Sequence, residues 1–185
     1  MIRVSNLNKA FNGKSVLRDI SVTFEPGKTN LIIGRSGSGK TVLLKSIVGL
    51  HDIDDGEVWY DDVLFNRLDF TGKKEIRKEM GMLFQGSALF DSLTVEQNVR
   101  FPLDMFTDKS YEEKRDRVDF CLKRVNILNA NNLLPSELSG GMKKRVAIAR
   151  AIALNPKYLF CDEPNSGLDP LTAILIDDLI KEITE

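Results

Sequence analysis

Apolar and polar residues alternate along the first third of the chain, and the period lengthens to a helical one further on. Residues 2–7, 16–24 and 56–65 carry β-rich or alternating patterns, the spacing of strands with one buried face. Phe11-Asn12-Gly13-Lys14 and Glu25-Pro26-Gly27-Lys28 interrupt them with turn chemistry. Thr29 to Ile33 follows as a strand, and Val42 to Val48 places apolar residues at helical spacing. Ile76 to Glu79 closes a charged segment, and Met80 to Phe84 reads as a buried strand ending at Gln85. From Thr94 to Asn132 the pattern is helical and mostly solvated, with Glu113 four residues before Arg117, the supportive order for an exposed pair. A stronger helix runs from Lys143 to Leu154, with Met142, Val146, Ala149 and Ala153 on one stripe and Ile148 and Ile152 on another. Two apolar stripes mean burial on most sides, and Asn155-Pro156 stops the helix. Tyr158 to Cys161 is a short buried strand running into Asp162 and Glu163. This order predicts an α/β protein, a parallel core with a small antiparallel sheet beside it.

Length and composition narrow the class. The 185 residues suit one domain, or a domain with an inserted subdomain, and 42% hydrophobic with 29% charged residues is ordinary for a globular protein. A net charge of −1 gives no general pull toward nucleic acid or an anionic membrane surface, so no nucleic-acid partner is expected. No apolar run approaches the ~20 residues that span a bilayer, and Met1 to Leu7 reads as a strand, not a signal peptide. Cys121 and Cys161 lack metal-type spacing and are read as reduced and cytosolic. The acidic stretch His51 to Glu57 lacks the ligand spacing of an EF-hand and reads as a turn, with His51 at the surface.

The chemistry begins at Gly34-Arg35-Ser36-Gly37-Ser38-Gly39-Lys40-Thr41, between an apolar strand and a helix. Strand, glycine-rich turn and helix are the context that makes G-x-x-x-x-G-K-[ST] a phosphate-binding loop. Glycines let successive N–H groups point at an anion, the helix start adds its positive end, Lys40 reaches the β- and γ-phosphates, and the Thr41 hydroxyl ligates Mg²⁺. Parallel sheets bind ligands at the carboxyl ends of their strands. Gly34, Gln85 and Asp162 each follow a predicted strand and are expected to converge on one edge. There Asp162 suits a Mg²⁺ ligand, Glu163 polarises the attacking water, and Gln85 offers an amide oxygen to metal or water. Ser139-Gly140-Gly141 opens the strong helix. Two glycines in a first turn cost about 1 kcal/mol each against alanine, which favours a second phosphate contact over simple capping.

Taken in this order, the motifs resemble the ATP-binding-cassette ATPases, and the resemblance covers the whole chain. Gly34 to Thr41 is similar to the Walker A loop, Gln85 to the Q-loop glutamine, and Leu138 to Met142 to the signature motif, which normally ends in Gln. Tyr158 to Glu163 resembles Walker B with its catalytic glutamate, Ser166 to Asp169 the D-loop, and Phe11 the aromatic that stacks on adenine. The resemblance implies a P-loop NTPase (RecA-like) core with an antiparallel β-subdomain at residues 1–92 and 136–185, and an inserted α-helical subdomain at about 93–135. It implies ATP and Mg²⁺ as ligands and hydrolysis to ADP and phosphate by a head-to-tail pair. In each site Lys40, Thr41, Gln85, Asp162 and Glu163 come from one copy, and Ser139, Gly140 and Gly141 from the other. It also implies an integral membrane permease as partner, at the inner face of the cytoplasmic membrane. Residues 83–95 and the Met-ended signature resemble the ATPase of MCE-type, maintenance-of-lipid-asymmetry systems, which move phospholipid with an MCE-domain protein. The alternatives are another importer, a lipoprotein-releasing or cell-division system, or a soluble non-transport ATPase.

Two departures from the pattern stand out. Val42 replaces a common second Ser or Thr, at little expected cost because Thr41 keeps the metal hydroxyl. The family's switch-loop histidine lies on a strand past the D-loop helix, so the resemblance implies either a C-terminally truncated cassette or a short one, without that γ-phosphate sensor in the sequence given. The loop from Gly86 to Leu93 is unusually apolar. Leu89 and Phe90 read either as core or as a docking patch beside Gln85.

Overall fold

The computed structural model describes residues 1–184, which divide into two compact units, Met1–Arg77 and Lys78–Glu185. In the first unit, strands β1 (Ile2–Phe11) and β2 (Lys14–Phe24) form a hairpin. Asn12 and Gly13, with φ of 50° and 77°, make its tight turn. Strand β3 (Asp55–Tyr60) pairs on the other side of β1 and β4 (Val63–Leu64) follows it, giving the antiparallel order β2-β1-β3-β4. Gly56 is required where β3 meets β1: its φ is 101°, and a Cβ would lie 2.6 Å from the Asn6 carbonyl oxygen. Helix α1 (Lys40–Ile47) buries Leu43, Leu44 and Ile47, and the Tyr60 hydroxyl donates to the Ile47 carbonyl at 3.1 Å.

Two readings change in this unit. Thr29 to Ile33 is not a strand. An extended run becomes one only through a ladder of backbone bonds, and among the described residues none pairs with it; Leu31 and Ile33 are 81% and 82% exposed. Helix α2 (Phe70–Lys78) was hidden within the charged segment because it buries no residue, so no apolar stripe marks it. Its start signal is Asp69, whose carboxylate accepts from Gly72 N–H at 2.8 Å.

In the second unit, β5 (Met80–Leu83) and β6 (Tyr158–Cys161) pair in parallel, with Met80 opposite Tyr158 and Leu83 opposite Cys161. Each is only half-buried rather than wholly so. Between them in sequence come α3 (Val95–Phe106), α4 (Tyr111–Arg124) and α5 (Gly140–Ala151), with α6 (Pro170–Thr184) after β6. One core joins Val95, Val99, Val118 and Leu122 to Val146, Ile148 and Ile176. The segment from Thr94 to Asn132 is therefore core-forming on one face, not mostly solvated.

The expected Glu113–Arg117 pair is also absent. Glu113 closes a capping box at the start of α4, accepting from Ser110 N–H at 2.8 Å while Ser110 Oγ accepts from Glu113 N–H. That use holds the Glu113 carboxyl below the usual carboxylate range. Arg117 instead donates to the Ile152 and Ala153 carbonyls at the end of α5, both at 2.9 Å, where a helix leaves carbonyls unpaired. No helix among the described residues is long and apolar enough to cross a membrane.

The loop from Phe90 to Thr94 is fastened by Asn98, which is fully buried. Its Oδ1 accepts from Phe90 N–H at 2.8 Å, and its Nδ2 donates to the carbonyls of Phe90, Leu93 and Thr94. Asn98→Ala removes the partner of a part-buried N–H, at about 1–3 kcal/mol for each group left unsatisfied. Urea denaturation of the variant should show a lower midpoint with an unchanged slope.

Candidate functional site

The glycine-rich loop lies in the first unit. Gly37 and Gly39 have φ of 74° and 99°, and a Cβ on Gly39 would come 3.0 Å from Leu17 Cδ2, so both conformation and packing demand glycine there. Ser38 N–H donates to Arg35 O at 3.2 Å and Leu43 N–H to Gly39 O at 2.8 Å, closing the turn onto α1. Gly39, in the left-handed conformation, caps α1 without a side chain, and a helix N-terminus presents its first-turn N–H groups and the positive end of its dipole. Lys40 Nζ donates to the Gly34 and Arg35 carbonyls at 3.0 and 3.2 Å. It thus bends over a loop in which Gly34, Arg35, Ser36, Gly37 and Ser38 are all exposed. Thr41 sits in the first turn of α1. The curl, the donors and the ammonium fit a chain of phosphates. Phe11 is 39% exposed and meets the edge of His51 with ring centroids 5.3 Å apart. Lys9 Nζ stands over the Phe11 ring 5.2 Å from its centroid, and His51 is a packing partner at its edge.

The second unit assembles the polar end of the β5–β6 pair. Asp162 N–H donates to Leu83 O at 2.9 Å, continuing the ladder past the strands. Gln85 Nε2 then donates to Glu163 Oε2 at 2.8 Å and to Ser166 Oγ at 3.3 Å. The two adjacent carboxylates part company: Asp162 is 6% exposed and Glu163 faces solvent. Glu163 has a φ of 46°, a left-handed conformation costing a β-carbon residue about 1–3 kcal/mol. The turn closed by Ser166 N–H on the Glu163 carbonyl at 3.0 Å holds it there. Of the convergence expected of Gly34, Gln85 and Asp162 at strand ends, this unit shows Gln85 bonded to Glu163, the residue after Asp162, whereas no strand runs into Gly34. Among the described residues no three His, Cys, Asp or Glu cluster to cage a metal. The hydroxyl of Thr41, the amide oxygen of Gln85 and the carboxylate of Asp162 are oxygen donors of the kind that Mg²⁺ prefers.

Helix α5 begins at Gly140, three residues earlier than the pattern placed it, and Ser139 does act as a simple cap, its Oγ accepting from Met142 N–H at 3.2 Å. Its two glycines have different reasons. A Cβ on Gly141 would come 2.8 Å from Thr172 Cγ2, so that side chain would have to shift, whereas one on Gly140 would meet only Leu168 Cδ2 at 3.9 Å. Gly140 is free of any steric demand from its own chain, the condition for close approach by a ligand. Asp169 caps α6, accepting from Thr172 N–H at 3.1 Å, and the Thr172 bonds hold its carboxyl below the ordinary range.

Two cations escaped the sequence reading. Lys144 is 4% exposed, and its Nζ donates to the Gln85 carbonyl. Burial lowers its pKa, while Asp162, Cys161 and Glu163 pull the other way. The Cys161 thiol is pushed up to about 12 by burial, with Lys144 opposing. Arg150 donates to the Ser87 carbonyl at 2.9 Å and the Ala88 carbonyl at 2.7 Å, and its own pKa is lowered by burial. Ser87 and Ala88 have φ of 64° and 48°, strained for residues other than glycine. The signal for Lys144 was its place four residues before Ile148 and eight before Ile152, where the stripe calls for an apolar side chain.

Comparison with known proteins identifies the family. The ABC transporter family profile matches residues 17–166. The methionine import ATP-binding protein MetN of Clostridioides difficile is 43% identical over 185 residues, covering 100% of this chain and 57% of that protein. The probable ribonucleotide transport ATP-binding protein mkl of Mycobacterium tuberculosis is 38% identical over 182 residues, 98% of this chain and 51% of that protein. The chain thus spans a little over half the length of these relatives. The ATP-binding cassette MJ0796, solved as a dimer in a post-hydrolysis state with ADP and Pi, superimposes with a TM-score of 0.90 at 35% identity, over 100% of this chain and 83% of that one. With a phosphate loop, a Gln85–Glu163 contact beside Asp162 and a profile match over most of its length, the chain belongs to the ABC transporter family.

Proposed function

We propose that this chain is the ATP-hydrolysing subunit of an ABC transporter, converting ATP and water to ADP and phosphate to drive transport. The observation that carries the proposal is the Gln85–Glu163 hydrogen bond beside buried Asp162, in a chain that also holds the phosphate loop. Lys40 and the loop N–H groups bind the phosphates, and Phe11 receives the adenine. Thr41 of the first unit, and Gln85 and Asp162 of the second, each offer an oxygen that would ligate Mg²⁺, which when bound supplies charge neutralisation at the phosphate oxygens. Glu163, exposed and oriented by Gln85, takes the proton of the attacking water. Ser139 and Gly140 serve the nucleotide of a second copy in a head-to-tail dimer, and the dimeric state of the cassette with ADP and Pi supports this reading.

The permease contact is proposed at the apolar cleft of about 400 Å³ lined by Met80, Met82, Phe84, Phe90, Phe101 and Leu154. Leu89 packs against the core, so only Phe90, 42% exposed, serves the docking reading. Phe90 lies 4.7 Å from Phe101 by ring centroids and under Arg150 at 5.8 Å. It lies two residues past the turn, Gln85 to Ala88, that Lys144 and Arg150 hold. A permease helix seated there, at the inner face of the cytoplasmic membrane, is moved whenever Gln85 moves. For cargo, the resemblance of residues 83–95 and Met142 supports phospholipid, handled with an MCE-domain protein. The names of the methionine and ribonucleotide transport relatives favour a second reading, import of a small polar molecule.

ATP with Mg²⁺ at a hundred times its dissociation constant should stabilise the chain by about 2.7 kcal/mol, and Lys40→Ala should abolish most of that shift in a thermal melt. An unchanged melting temperature in saturating ATP sinks the binding assignment. Glu163→Gln in the full-length protein should keep ATP binding and lose turnover about 10²–10⁴-fold, whereas hydrolysis at the parental rate removes Glu163 as the base. Native purification from membranes should bring a permease and an MCE-domain protein with the full-length chain. Recovery of a soluble small-molecule-binding protein instead favours the second cargo. Phe90→Ser should lose the permease while costing the soluble chain no more than about 0.5–1.5 kcal/mol, the worth of an aromatic pair.

A further inference from the structure

Helix α5 carries two buried or part-buried cations that hold one turn. Lys144 donates to the carbonyl of Gln85, and Arg150 to those of Ser87 and Ala88. Three main-chain oxygens within four residues are thus fixed by one helix, through charge-assisted bonds that hold geometry more firmly than neutral ones. Arg150 accounts for the left-handed Ser87 and Ala88. Lys144 has no such strain to support, yet it occupies a position 4% exposed where an apolar residue would pack at no electrostatic cost. What it touches is the residue whose side chain reaches Glu163 Oε2 and Ser166 Oγ. The carboxylates of Asp162 and Glu163 both attract its charge, so the ammonium is anchored from the β6 side while it grips the end of β5.

We propose that Lys144 is a positioning residue for the Gln85–Glu163 pair. Through the Gln85 carbonyl it sets where the amide stands against the Glu163 carboxylate. Because Lys144 and Ser139-Gly140-Gly141 belong to one rigid helix, displacement of that helix's first turn is passed to Gln85. A site served by the first turn of α5 and a site served by Gln85 are thereby linked within one chain. The consequence for turnover rests on the reading of Glu163 as the hydrolytic base, whereas the grip on Gln85 is a property of this chain alone.

Two measurements on Lys144→Met and Lys144→Arg separate these parts. In nucleotide-free protein, the Ser87 amide, which donates to Phe84 O at 3.0 Å, reports opening of the turn. Its hydrogen exchange should be about tenfold faster in Lys144→Met, with the amides of α4 unaffected and Lys144→Arg close to parental. In the full-length transporter complex, Lys144→Met should lower kcat about tenfold with the KM for ATP within about twofold, and should add no further loss in a Gln85→Ala background. Parental exchange at Ser87 overturns the proposal, as does equal damage from Lys144→Met and Lys144→Arg, or full additivity with Gln85→Ala. If Lys144→Met does not fold, Lys144→Gln takes its place with the same expectations. A parental complex without ATPase activity refutes the hydrolytic reading, and the exchange result alone then decides the grip on Gln85.

Discussion

The parallel pairing of β5 with β6 is the constraint on which the rest of the second unit depends. Its register sets Leu83 beside Cys161, and the next ladder bond, from Asp162 N–H to the Leu83 carbonyl, carries the alignment beyond the strands. Gln85 and Glu163 come from positions 78 residues apart in sequence, and no local interaction brings them together. Parallel strands need a long crossover to return in the same direction. Here α3, α4 and α5 make that return and bury one shared core on the way. A slip of one residue would turn every side chain of a strand to the other face and separate the amide from the carboxylate. Gly81 helps to forbid the slip, because a Cβ there would run into the Ala151 carbonyl oxygen and Pro156.

Charge distribution follows from that alignment. A short strand pair ending in two carboxylates needs compensation when one of them is 6% exposed, and α5 supplies it with Lys144. The same helix offers Arg150 to a turn whose left-handed residues leave carbonyls unmatched by any strand. These cations are costly to desolvate, as the lowered pKa of each records. The fold tolerates them because each ends on main-chain oxygens that would otherwise lack a partner. Function and stability here draw on the same bonds.

In the first unit the phosphate loop rests on a different device. Left-handed glycine conformation sets the curl at Gly37 and Gly39, and close packing against β2 adds to it at Gly39. Preorganised donors need no rearrangement when they bind. That economy is visible at Gly140 as well, a glycine that its own chain does not require.

Motifs that act through neighbours in sequence were legible without coordinates. The phosphate loop, the Asn12-Gly13 turn and the strand running into Asp162 all depend on local spacing, which the order of residues alone determines. What only the tertiary structure decided is of three kinds. Thr29 to Ile33 has the apolar residues of a strand but no ladder partner among the described residues. Glu113 was claimed by a cap and Arg117 by the end of α5, because unpaired backbone groups outcompete a solvent-exposed ion pair. Lys144, Arg150 and Asn98 carry their roles through carbonyls and N–H groups on other elements, and a main-chain partner leaves no mark on the sequence. Residue type and spacing announce chemistry done by side chains within a local motif; which distant backbone a buried cation or amide holds is set by packing alone.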